Sequence, residues 1–74
     1  MQKIKFYGWN VGMKSLRFAQ LLHDDAGIGL EESWQIKTDV LDKKTVVINV
    51  PEAIAETLLK KFLEIGVKCS VEYN

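Results

Sequence analysis

Several things are scarce in this chain, and each scarcity closes off a class of protein. One cysteine among 74 residues cannot build an internal disulfide framework, and a single unpaired thiol suits a reducing compartment. No apolar run approaches the roughly 18 residues that a membrane span needs. The opening "MQKIKFYGWN" lacks the long apolar stretch of a signal peptide. The expectation is a cytoplasmic protein with no membrane partner. Acids are missing from the first 23 residues, where Lys3, Lys5, Lys14 and Arg17 stand alone. All ten acids and the other six cations lie from Asp24 onward, so the net charge of zero is unevenly spread. Such asymmetry can steer an acidic partner, or the two segments can pack together and cancel.

At 74 residues the chain is a single domain, residues 1–74. A chain of this size buries only roughly 60% of its unfolded surface, which leaves little core to hollow out for a deep active site. Composition is that of a globular domain, 47% hydrophobic and 27% charged.

The apolar pattern predicts six elements. "KIKFY" alternates, with Ile4 and Phe6 to one side and Lys3, Lys5 and Tyr7 to the other, as in a half-buried strand. "GWNVG", Gly8 to Gly12, reads as a turn. Met13 to about Asp25 reads as a helix with Leu16, Ala19 and Leu22 inward, Phe18 flanking, and Lys14, Arg17 and Asp24 opposite. Gly27 can cap it. Gly29 can open a second helix, with Glu32 placed as in a capping box and Glu31 and Glu32 favoured by the helix dipole. Leu30, Ser33, Ile36 and Val40 form its inward stripe, Trp34 lies off it, and the helix frays at "LDKK". "TVVINV", Thr45 to Val50, is β-branched and reads as a strand. Pro51 suits the first position of a third helix, with Ile54, Ala55, Leu58, Leu59 and Phe62 inward. Glu56–Lys60 and Lys60–Glu64 are neighbours on its wet side. Gly66 ends it. "VKCSVEY" then alternates, with Val67, Cys69, Val71 and Tyr73 inward. The order β-α-α-β-α-β implies a two-layer α+β domain, a three-stranded sheet with three helices on one face.

The glycine-flanked stretch "DDAGIGLEESW" tests whether the chain cradles phosphate. A dinucleotide fingerprint needs a glycine where Glu32 stands, and it follows a strand, not a helix. Acids on both sides of the glycines would repel phosphate. The stretch reads as a corner between two helices, with Ile28 as its plug. His23 is the single histidine; Asp24 and Asp25 beside it do not converge with it on a helix, and no second His supports a metal site. Cys69 falls on the inward face of a strand, as an inert core thiol. Ser15, Ser33 and Ser70 lack a nucleophile-elbow context. These absences argue against an enzyme, a cofactor or a small-molecule substrate. An RNA-reading sheet needs several stacking aromatics, and the open face offers Tyr7 alone beside Lys3, Lys5, Lys68 and Asn49, so nucleic acid is the weakest reading.

Four stretches are familiar. "LRFAQLLHDDAGIGLEESWQI" and "AETLLKKFLEIGVKCSVE" resemble the C-terminal domain of the bacterial ribosomal stalk protein. "FYGWNVGMKSLRF" and "TVVINVPEAIAET" resemble the Clp protease adaptor ClpS. The two families share one fold, termed ClpS-like, and the resemblance implies that fold over nearly the whole chain. It also implies a non-enzymatic, adaptor-like role. The stalk domain recruits translation GTPases through basic residues on its first two helices. The matching surface here carries Lys14, Arg17, Gln20, His23, Glu31 and Trp34, with less positive charge. The adaptor grips the first residue of its client near the positions of Gly8, Trp9 and Asn10 and at that of Trp34. Of these, Asn10 keeps polar pairing ability.

The expected function is therefore a protein-binding module. Its partner would dock in a groove between the first turn and the two-helix corner, on Trp9, Asn10, Lys14, Arg17, His23 and Trp34. Tryptophans are frequent binding anchors, but both rings equally suit a lid over a small core. A structural protein that forms a homodimer through its open sheet face or an edge strand is the alternative of a different class.

Overall fold

The computed structural model describes residues 1–72. Its elements are β1 (Gln2–Trp9), α1 (Ser15–Asp24), α2 (Leu30–Leu41), β2 (Val46–Val50), α3 (Glu52–Glu64) and β3 (Val67–Glu72). The sheet is antiparallel with strand order β2-β1-β3, so the first strand is central. Ile4 and Phe6 of β1, Ile48 and Val50 of β2, and Val67 and Cys69 of β3 are all buried beneath the helices. Tyr7, Val47, Asn49 and Lys68 are exposed on the other face. This is the α+β architecture that strand alternation and helix amphipathicity require. Tyr73, expected inward, lies outside the described residues.

Three phenylalanines fasten the layers. Phe6 of β1, Phe18 of α1 and Phe62 of α3 meet edge to face, with centroids 5.0–5.5 Å apart. Edges of one ring carry the partial positive charge that the faces of the others attract.

The face expected of α1 needs rotation, and the stripe expected of α2 holds except at Leu30. The buried residues of α1 are Phe18, Ala19, Leu21 and Leu22. Leu16, expected inward, is exposed, because at 100° per residue it lies about 160° around the helix from Phe18. In α2 the buried residues are Ser33, Ile36 and Val40. Leu30 is exposed, for it lies about 120° from Ile36 and turns to the flank of α1, not to the sheet. Ile54 and Leu59 of α3 are half-buried against the core, around the fully buried Ala55, Leu58 and Phe62.

The helix ends also differ in detail from the sequence reading. Gly29 is the N-cap of α2, yet Glu32 makes no capping hydrogen bond. Pro51 is the N-cap of α3, one place before the expected position. Glu56, Lys60 and Glu64 share the wet side of α3, with no salt bridge between them. Instead Lys61 donates to Asp25 at 2.7 Å and ties α3 to the end of α1. Lys5 pairs with Glu72 at 3.6 Å across β1 and β3, so part of the charge asymmetry cancels internally.

Candidate functional site

The corner between α1 and α2 builds the most distinctive surface. Helix α1 runs out of carbonyl partners at its end, where Leu21 O accepts from the N–H groups of Asp25 and Ala26. The N–H of Ile28 donates to Leu22 O at 3.0 Å after Gly27 takes a φ of 72°. That left-handed step is why a glycine stands there. Ser33 then lies fully buried where the two helices approach, and its hydroxyl donates to Gly29 O at 2.9 Å.

Between the helices runs a groove of about 240 Å³. Its apolar lining is Leu16 and Ala19 from α1 with Leu30 and Trp34 from α2; Gln20, His23 and Asp24 form a polar side. Leu16 is 62% exposed, Leu30 57% and Trp34 42%. Scattered exposed leucines are ordinary, but three large apolar side chains around one depression form a patch. Lys37 Nζ lies 4.1 Å from the Trp34 ring centroid and covers part of it by a cation–π contact.

His23 is held in this groove by geometry. Its Nδ1 lies 2.8 Å from the carbonyl oxygen of Ile28. A carbonyl only accepts, so Nδ1 carries the proton and donates. Nε2 is left to accept from a ligand, or to donate when the ring is charged.

The other expected contact residues lie elsewhere. Trp9 is the last residue of β1, not part of a turn. A bulge between Phe6 and Gly8 sets Phe6 opposite Cys69, Gly8 opposite Lys68 and Trp9 opposite Val67. The extra residue reverses the parity of the strand, so Trp9 packs against the core instead of joining Lys3, Lys5 and Tyr7. Its Nε1 donates to Leu41 O at 3.3 Å, which satisfies a carbonyl at the end of α2. Trp9 borders a separate depression with Tyr7, Lys43 and Lys68. The two tryptophans therefore do not edge one groove. Asn10 and Lys14 are stitched by their backbones to the α3–β3 corner: their N–H groups donate to Gly66 O at 2.7 Å and Ile65 O at 3.1 Å. Their side chains, and that of Arg17, are exposed and outside the groove lining. Leu16 and Leu30 are the groove residues that inward-stripe reasoning assigned to the core.

Burial pushes the Cys69 thiol from 9.0 up to about 11, which keeps it protonated and poorly nucleophilic. Among the described residues, no three His, Cys, Asp or Glu side chains come together as a metal site. No helix among them is long and apolar enough to cross a membrane. What fold and surface define is a small two-layer α+β domain whose marked feature is an apolar groove between its first two helices. No family model matches the chain, and no curated protein matches it.

Proposed function

We propose that this domain is a non-enzymatic, cytoplasmic protein-binding module whose docking site is the α1/α2 groove. Trp34 is the central anchor, Leu16 and Leu30 flank it, and His23 supplies a polar contact. The observation that carries this reading is the cluster of three exposed large apolar side chains around one depression. An aromatic anchor inside an apolar ring is the usual composition of a binding hot spot. The resemblance to the stalk domain supports the same location, since that family uses its first two helices; of the adaptor family's positions, Trp34 alone falls in the groove. Lys14 and Arg17, exposed on or beside α1, then act in long-range attraction of a partner and not as anchors. Trp9 and Asn10 are scaffold in this reading.

A photo-crosslinking residue placed at Gln20, with one at Asn49 on the open sheet face as control, would identify the partner. Purified partner is then titrated against the wild type and Trp34→Ala. A hot-spot anchor predicts at least about 30-fold weaker binding, from a loss of about 2 kcal/mol. The thermal midpoint should stay within a few degrees of the wild type. Undiminished affinity, or a variant that no longer folds, would overturn the assignment.

A further inference from the structure

The two edges of the sheet are unlike. Strand β3 carries Lys68 and Glu72 on one edge, and charges of this kind discourage pairing with another chain. Strand β2 forms the other edge among the described residues, and from Thr45 to Val50 it has no charge. Its sequence VVINV is almost wholly β-branched, with a half-buried Val46 and a Val47 that is 46% exposed. Among the described residues, α2 is the helix that approaches this edge. A groove of about 310 Å³ runs there, lined by Ile28, Glu32 and Ile36 beside Val46–Asn49. A free, uncharged, β-prone edge beside a groove of mixed polar and apolar lining is what strand addition uses.

We infer that β2 is a self-association edge, at which a second copy of this chain pairs its own β2 antiparallel to form a two-fold dimer with a continuous six-stranded sheet. Charge order along the strand selects this occupant. The chain enters β2 through Lys43 and Lys44 and leaves it through Pro51 and Glu52, with Glu32 of α2 at the same groove. Antiparallel pairing centred on Ile48 sets Val46 opposite the second copy's Val50, and Val47 opposite its Asn49. Just beyond the paired strands, Lys44 then lies at the same end of the seam as the start of the second copy's α3, where Glu52 stands, and the reverse. Lys44 reaches Asp39 at 3.7 Å with its side chain 66% exposed, a weak restraint that leaves it available to a better partner. An isologous contact of this kind closes on itself, so the exposed edge yields a dimer and not a fibre. A single added strand pair buries less than a standard interface of about 1,600 Å², so the dimer should be weak, in the micromolar range or above. The site is distinct from the α1/α2 groove, and its test does not depend on that groove's role.

Sedimentation of the wild type from about 10 µM to about 1 mM should show a monomer–dimer equilibrium, given the small contact area. Val47→Lys, an exposed substitution that places a charge on the edge, should weaken it at least about tenfold. Lys44→Glu and Glu52→Lys should each weaken it, and the double exchange should restore it, because antiparallel pairing of β2 places these opposite charges at the same end of the seam. In a mixed-isotope sample, Ile48 should show an intermolecular contact to the second copy's Ile48. A strict monomer over the whole range overturns the inference. So does a dimer indifferent to Val47→Lys and to the charge exchange, since that would locate the contact elsewhere. Circular dichroism of each variant separates lost pairing from lost folding.

Discussion

Burial of a single thiol has a consequence in alkali. Cys69 is 5% exposed, and its thiol holds a proton up to about pH 11 when folded, against 9.0 ordinarily. Below pH 9 both states are protonated, and stability does not depend on this group. Between pH 9 and about 11 the unfolded chain has released its proton while the folded chain has not, so stability falls as pH rises. Urea unfolding across this window should show a steeper loss for the wild type than for Cys69→Val; equal slopes would contradict the buried, neutral thiol. That Cys69 points inward was readable from alternation in "VKCSVEY". Trp9 was not, because one extra residue, Tyr7, between Phe6 and Gly8 reverses the parity of everything after it. A glycine in a strand marks a possible bulge, but whether the ladder slips there depends on the partner strand, Lys68 and Val67, which local pattern does not contain.

Helix ends show the same division between local and tertiary information. Gly27 and Gly66 are legible because both need positive φ, 72° and 98°. Gly66 has a second reason, since a Cβ there would come within 3.1 Å of Met13 Cα. The end of α2 carries no such mark. Its chain turns through Lys43 at a φ of 65°, with Lys43 N–H donating to Val40 O and Lys44 N–H to Asp39 O, the two bonds of a Schellman cap. A side chain in that conformation costs about 1–2 kcal/mol, offset partly by the stiffer unfolded chain. Lys43→Gly should therefore stabilise the protein by up to about 1 kcal/mol in chemical denaturation. A loss of stability would mean that the lysine side chain makes a contact worth more than the strain. The exposed positions of Leu16 and Leu30 follow from where each helix's stripe is centred. Phe18 and Leu22 set that centre for α1, by packing against residues of other elements. Counting apolar residues at helical spacing finds several equivalent stripes in "SLRFAQLL", and only the sheet and α2 choose between them.

For the molecule as a whole, the margin is set by one aromatic cluster. Phe6, Phe18 and Phe62 come from β1, α1 and α3, and all three are fully buried. Among the described residues they are the largest fully buried side chains, and together they link the central strand to two helices. A domain of 74 residues has a stability of roughly 4–11 kcal/mol at the usual margin per residue. Removing a buried phenylalanine ring costs about 3–5 kcal/mol, a large part of that range. Phe18→Ala should therefore leave the chain largely unfolded or close to it at room temperature. Trp34→Ala, which trims a ring already 42% exposed, should leave it folded. Far-UV circular dichroism with urea titration of the two variants side by side measures the difference. If Phe18→Ala unfolded at nearly the wild-type urea concentration, α1 would be held by something other than this cluster. With the expected loss of stability, the groove that α1 shares with α2 loses its rigid wall, and an anchor site built on Leu16 and Trp34 has no fixed shape to offer.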